Sequence, residues 1–156
     1  MKNITKLVFS ILVCQIAGII GSLFTSPSIA NWYQTITKPV FTPPNWIFAP
    51  VWIILFLMMG ISLYIILKQK LKKKEVRRGL FLFFTQLILN SLWSIIFFGL
   101  HNPLLAFVEI IFLWLFIILT IVQFSKISKI ASYLLIPYLL WVTFAAFLNL
   151  YIWILN

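Results

Sequence analysis

Acid is what this 156-residue chain most lacks: Asp and Glu together number 2, against 12 Lys plus Arg. Those two carboxylates are Glu75, in a basic stretch, and Glu109, in an apolar one. No pair is available for glycosidic acid–base chemistry. A single imidazole, His101, excludes a histidine metal cluster, and no acidic partner is placed to complete a Ser-His-Asp set with it. A single cysteine, Cys14, rules out a disulfide framework or a thiolate metal site within one chain. No phosphate-cradling glycine loop occurs. Charged residues make up only 9% of the chain, whereas a soluble domain carries roughly 25%. The net charge of +10 has too few polar residues around it to build a groove-reading surface, so nucleic acid is not an expected partner.

What remains is apolar and aromatic. Hydrophobic residues are 63% of the chain and aromatics 18%, with 16 Phe and 7 Trp. Five uncharged runs reach the roughly 17 to 25 residues needed to cross a bilayer: Leu7 to Phe24, Trp46 to Leu67, Gly79 to Phe98, Pro103 to Phe124 and Ala131 to Trp153. They are continuous rather than alternating, which predicts helices and not a barrel. The expected fold is therefore an all-α membrane protein, a single domain over 1–156 with spans at 7–24, 46–67, 79–98, 103–124 and 131–153.

The basic residues predict the orientation, since short Lys- and Arg-rich loops stay cytoplasmic. Lys2 and Lys6 precede span 1, seven cations from Lys68 to Arg78 join spans 2 and 3, and Lys126 and Lys129 join spans 4 and 5. The N-terminus is expected in the cytoplasm and the C-terminus on the opposite side, with Lys38 the lone outer cation. The run KQKLKKKEVRR reads as a topogenic, lipid-headgroup patch. The connection at 25–45 is long and contains Pro27, Pro39, Pro43 and Pro44. Its apolar residues and restricted backbone predict a structured cap on the outer face.

Helical spacing brings selected side chains together. On span 3, Gln86, Asn90, Trp93 and Phe97 recur at steps of 4, 3 and 4 and share a face. On span 5, Tyr138, Trp141 and Ala145 form a stripe that reaches Leu148 or Asn149. Trp52 and Phe56 lie one turn apart on span 2. At ~1.5 Å per residue Trp52, Asn90, Trp93, Ala145 and Trp141 fall about 8 to 20 Å below the outer helix ends. Trp52, Trp93 and Trp141 are thus too deep for an interfacial belt, to which Trp46, Trp114 and Trp153 are assigned. Aromatic walls with one or two polar groups suit a flat apolar ligand. Ala17, Gly18, Gly21 and Ser22 form a small-residue face suited to close helix packing or to a dimer interface. Glu109, an ionisable group within a span, is expected to face the bundle interior. It reads either as a carboxyl tying helices together or as a ligand-contacting or proton-carrying group. His101 reads as structural or solvated, with haem ligation the alternative.

Three blocks resemble the tryptophan-rich sensory protein/translocator protein family, also called the peripheral benzodiazepine receptor family: WYQTITKPVFTPPNWIFAPVW at 32–52, QLILNSLWSIIFFG at 86–99 and PYLLWVTFAAFLNLYIWILN at 137–156. NPLLAFVEIIFLWL at 102–115 is similar to the family too. The resemblance implies a five-helix bundle, commonly a homodimer, that binds protoporphyrin, haem and benzodiazepine-type ligands in a pocket beneath the first loop. It implies a ligand site of Tyr33, Trp52, Phe56, Asn90, Trp93, Trp141 and Ala145. The implied role is a receptor in tetrapyrrole homeostasis or stress sensing, in the bacterial cytoplasmic membrane, with no cofactor required. Photo-oxidative protoporphyrin degradation through Trp52 and Trp141 is the catalytic alternative, and tetrapyrrole transport a further one. Tyr151 is followed by no basic residue, so the sterol pattern of animal members is incomplete. Asn45 and Ala49 stand where relatives often carry Gly, and Ile95 where they carry Pro, which predicts a tighter loop end or a straighter third span.

Overall fold

The computed structural model describes residues 2–156. Five of its helical stretches are long and apolar enough to cross a membrane: Asn3–Ala30, Asn45–Leu67, Lys74–Gly99, Pro103–Ser125 and Lys129–Leu155. In sequence order the elements are α1 (Asn3–Ala30), the short α2 (Trp32–Thr35), α3 (Phe48–Leu67) entered through a 3-10 turn at Asn45–Ile47, α4 (Lys74–Ser94) continuing into a π segment at Ile95–Gly99, α5 (Pro103–Ser125), the short α6 (Lys129–Tyr133) and α7 (Ile136–Leu155). No strand occurs among the described residues. Helices satisfy every backbone group within the segment, which hydrocarbon demands.

Helix alternation gives the bundle a basic end, where 68–73 and 126–128 turn, and a loop end, where 31–47 and 100–102 turn. The turn into α5 is set locally. Asn102 Oδ1 accepts from the Leu105 amide at 3.0 Å, and Pro103 follows at the first helical position. His101 enables the reversal by adopting φ 52°, a left-handed conformation uncommon outside glycine.

Two stretches differ from the sequence expectation. α1 runs to Ala30, so the connection begins beyond the expected end of span 1 at residue 24. Pro27 lies inside it and forfeits the bond to the carbonyl of Leu23. The helix survives because only one ladder bond is lost, and Asn31 then closes it, its Nδ2 donating to Pro27 O at 3.0 Å. The third span is not straightened by Ile95. It widens there into a π turn, with the Leu100 amide donating to Ile95 O at 2.9 Å. Phe97 and Phe98 of this segment both face a cavity at the loop end.

Close approaches hold the helices. A Cβ on Gly60 would stand 2.8 Å from the Ile11 Cα, so α1 and α3 touch backbone to backbone near the basic end. Gly21 faces Ser94 of α4 at 3.1 Å in the same sense, and Phe56 lies against Gly18. The small-residue face of span 1 is thus used for packing within the chain. Gly60→Val should lower stability by about 1–3 kcal/mol through overpacking, since backbone cannot yield as a side chain does. Thermal unfolding in detergent micelles measures it, with an unchanged midpoint arguing against the contact.

Candidate functional site

A cavity of about 340 Å³ opens beneath the loop end, walled by α1, α2, α3, α4 with its π segment, and α7. No residue of α5 lines it. All seven sequence-predicted site residues, Tyr33, Trp52, Phe56, Asn90, Trp93, Trp141 and Ala145, stand on its wall.

The aromatic walls are set by helical register. Trp52 of α3 meets Trp141 of α7 edge to face, with centroids 6.5 Å apart and planes at 89°. Trp52 also lies 5.5 Å from Phe56, one turn below it. Trp93 stacks on Phe97 at 5.1 Å and 23° and meets Phe98 edge-on at 5.9 Å. Such offset and perpendicular pairs follow from ring quadrupoles and stiffen the wall.

The polar groups belong to two relays that cross between helices. In the first, Asn90 Nδ2 donates to the Tyr138 hydroxyl at 2.7 Å, which donates to Gln86 Oε1 at 2.7 Å. In the second, Trp93 Nε1 donates to Asn149 Oδ1 at 2.9 Å, and Asn149 Nδ2 donates to Pro103 O at 2.7 Å. Asn90 therefore spends one amide hydrogen on Tyr138, and its Oδ1 has no partner among the described residues and is offered to an occupant. Asn149, whose place at the end of the α7 stripe was ambiguous from spacing, orients the indole of Trp93.

Tyr33 comes from α2 in the loop and is 2% exposed. Its hydroxyl has no hydrogen-bond partner among the described residues. Lys38 covers it, with Nζ 4.7 Å from the ring centroid and donating to the Tyr33 carbonyl at 2.6 Å. Burial pushes the Tyr33 phenol up to about 12.

Several residues fall outside the site. Glu109 is buried on α5, both carboxyl oxygens lack a hydrogen-bond partner among the described residues, and it does not line the cavity. It ties no helix by a hydrogen bond, contrary to one sequence expectation. His101 stacks on Trp32 with centroids 4.6 Å apart and planes at 8°, away from the cavity wall. Trp114, assigned to an interfacial belt, instead bonds across to α7, its Nε1 donating to Thr143 Oγ1 at 2.8 Å. It sits mid-helix, where an indole N–H needs a partner. Among the described residues no three His, Cys, Asp or Glu gather as a metal site. Sequence reasoning missed the α1 wall, where Gln15, Gly18, Ser22 and Ser26 line the cavity. Their recurrence at helical steps was visible, but small residues signal packing as readily as a pocket.

Residues 10–154 match the model of the TspO/MBR family. The chain belongs to the TspO/MBR family. It is 49% identical to the tryptophan-rich protein TspO of Chlorobaculum tepidum, over 99% of this chain and 98% of that one. It is 51% identical to the protein of the same name from Archaeoglobus fulgidus, over 99% of both. Translocator protein of Homo sapiens is 34% identical over 86% of this chain and 80% of that protein. As a TspO/MBR member with five spanning-length helices, the chain is an integral membrane protein.

Removing the Tyr138 hydroxyl strands the Asn90 donor and the Gln86 acceptor together. Tyr138→Phe should lose about 1–3 kcal/mol, read as a lowered unfolding midpoint; an unchanged midpoint would break the relay. For Tyr33, the raised folded-state value means the unfolded chain releases the phenolic proton first. This contribution to stability is full below pH 10 and is lost as pH rises through about 12. Ultraviolet difference titration of wild type against Tyr33→Phe should show one tyrosinate forming late, and titration near 10 would contradict the burial.

Proposed function

We propose that this protein is a membrane receptor for a porphyrin-type ligand, held in the cavity beneath the loop, and acts in tetrapyrrole homeostasis or stress sensing. The observation that carries this reading is the meeting of Trp52, Trp93, Trp141 and Tyr33 around one largely apolar cavity. Flat π surfaces recognise flat π surfaces, and the few polar atoms fix orientation. Among the described residues the wall carries no imidazole, thiol or thioether. Recognition by ring faces rather than axial ligation therefore suits an iron-free protoporphyrin at least as well as haem. Benzodiazepine-type ligands, flat and apolar with a few acceptors, fall within the same chemistry. The cation distribution supports a cytoplasmic N-terminus in a bacterial inner membrane, and the family supports a homodimer.

The perpendicular Trp52–Trp141 pair favours a second reading, photo-oxidative breakdown of the bound porphyrin. Indoles are oxidisable, and both would lie against a light-absorbing ligand with oxygen as co-reactant. Titration with protoporphyrin in the dark, read by tryptophan fluorescence, should give saturable quenching without pigment loss. Trp52→Phe and Trp141→Phe should each weaken binding by about 0.5–1.5 kcal/mol, the worth of an aromatic pair beyond its area. No quenching would end the receptor reading. Protein-dependent pigment loss under light, abolished in the double variant, would establish the second.

A further inference from the structure

The cavity lies under a loop that is tied down, and part of its lateral wall is exposed. Above it, Asn156 clasps the loop: its Oδ1 accepts from the Thr37 amide at 2.9 Å, and its Nδ2 donates to Thr37 O at 2.8 Å and to Ile152 O at 2.7 Å. The last residue of α7's terminal turn thus holds the loop backbone at two points. Phe41 adds edge contacts with Phe144 and Tyr151 of α7, at 6.1 and 5.5 Å. Lys38 is drawn inward to the Tyr33 carbonyl.

At the side, α1 parts from α3. The two touch backbone to backbone at Ile11 and Gly60, and Gln15 Nε2 still reaches Ile53 O at 3.3 Å. One turn on, Gly18 still packs on Phe56 of α3, and the close contacts of α1 nearer the loop end are with α4 and the π segment. Ser91 Oγ donates to Ala17 O at 2.9 Å, Gly21 faces Ser94, and Phe24 lies against Gly99. On the loop side of Phe56 a wedge is left between α1 and α3, marked by residues of both helices that line the cavity and are exposed. Its lips belong to two surfaces at once: Ile19 and Ile53 line the cavity and yet are 57% and 58% exposed. Ser22 and Ala49 also line it and are exposed. The Ser22 hydroxyl on this lip is satisfied within its own helix, donating to Ile19 O at 2.8 Å.

We infer that the ligand of the proposed site enters and leaves laterally, from the hydrocarbon of the loop-end leaflet through the α1–α3 wedge, while the loop stays clasped. Passage over the top must break the Asn156 bonds and uncover Tyr33. Passage through the wedge breaks at most the long Gln15 bond. A molecule using it is one that partitions into the membrane, an amphipathic macrocycle rather than a polar metabolite. This inference rests on the proposed binding of porphyrin-type ligands.

Protoporphyrin IX exchange with the full chain in lipid nanodiscs tests it, by stopped-flow of the Soret shift. Ser22→Phe and, on the opposite lip, Ile53→Trp each narrow the wedge. Association and dissociation should both slow about tenfold in each, whereas a mere loss of contacts would speed dissociation. Asn156→Ala should leave both rates within about twofold. Faster exchange in Asn156→Ala, with unaltered rates in the two wedge variants, would overturn lateral entry in favour of the loop. Absence of any saturable equilibrium shift in wild type would overturn the binding reading itself, and is distinguishable because it needs no kinetics.

Discussion

The Tyr138 hydroxyl stands between two amides of α4, accepting from Asn90 and donating to Gln86. In a medium without water a polar side chain must find a protein partner, and this one phenol serves two. It pins the register of α7 against α4, because a shift of one residue would turn Tyr138 by about 100° and leave three polar groups unmet. The Trp93–Asn149–Pro103 relay does the same nearer the loop end and extends the tie to α5. With α4, α5 and α7 locked, α1 and α3 complete the bundle and leave room between them and the relays.

That room is largely apolar, and the relays hold several of the polar groups at its wall. One Asn90 amide hydrogen, the Trp93 N–H and both ends of the Asn149 amide are engaged across helices. What the cavity retains is ring surface, the Asn90 carbonyl oxygen, the Trp52 and Trp141 indole N–H groups, small α1 side chains and the buried Tyr33 hydroxyl. The π turn at Ile95–Gly99 adds two consecutive phenylalanines to this wall.

The site was legible where two signals coincided. Trp52, Trp93 and Trp141 could be separated from belt tryptophans because helical spacing fixed their face and counting residues fixed their depth. Asn90 could be assigned inward for the same reason. Trp114 could not, since its partner Thr143 is on another helix and no local pattern connects them. The α1 small-residue face packs within the chain as expected, but its part in the cavity wall was not legible, because glycine and serine state only that something comes close. Asn156 carried no signal at all: its clasp on Thr37 joins chain positions far apart, and an asparagine at a helix end is ordinary.

Composition and hydrophobic run length determined by themselves that this is a five-helix membrane chain, since hydrocarbon permits few backbone solutions. Helical periodicity determined which aromatic faces point inward. Only tertiary structure decided which polar groups are consumed in relays, that Asn156 clasps the loop, and that the cavity wall is exposed between α1 and α3. Those outcomes depend on distances between segments remote in sequence. Such distances arise from the close packing of side chains on different helices, and no single helix contains that information.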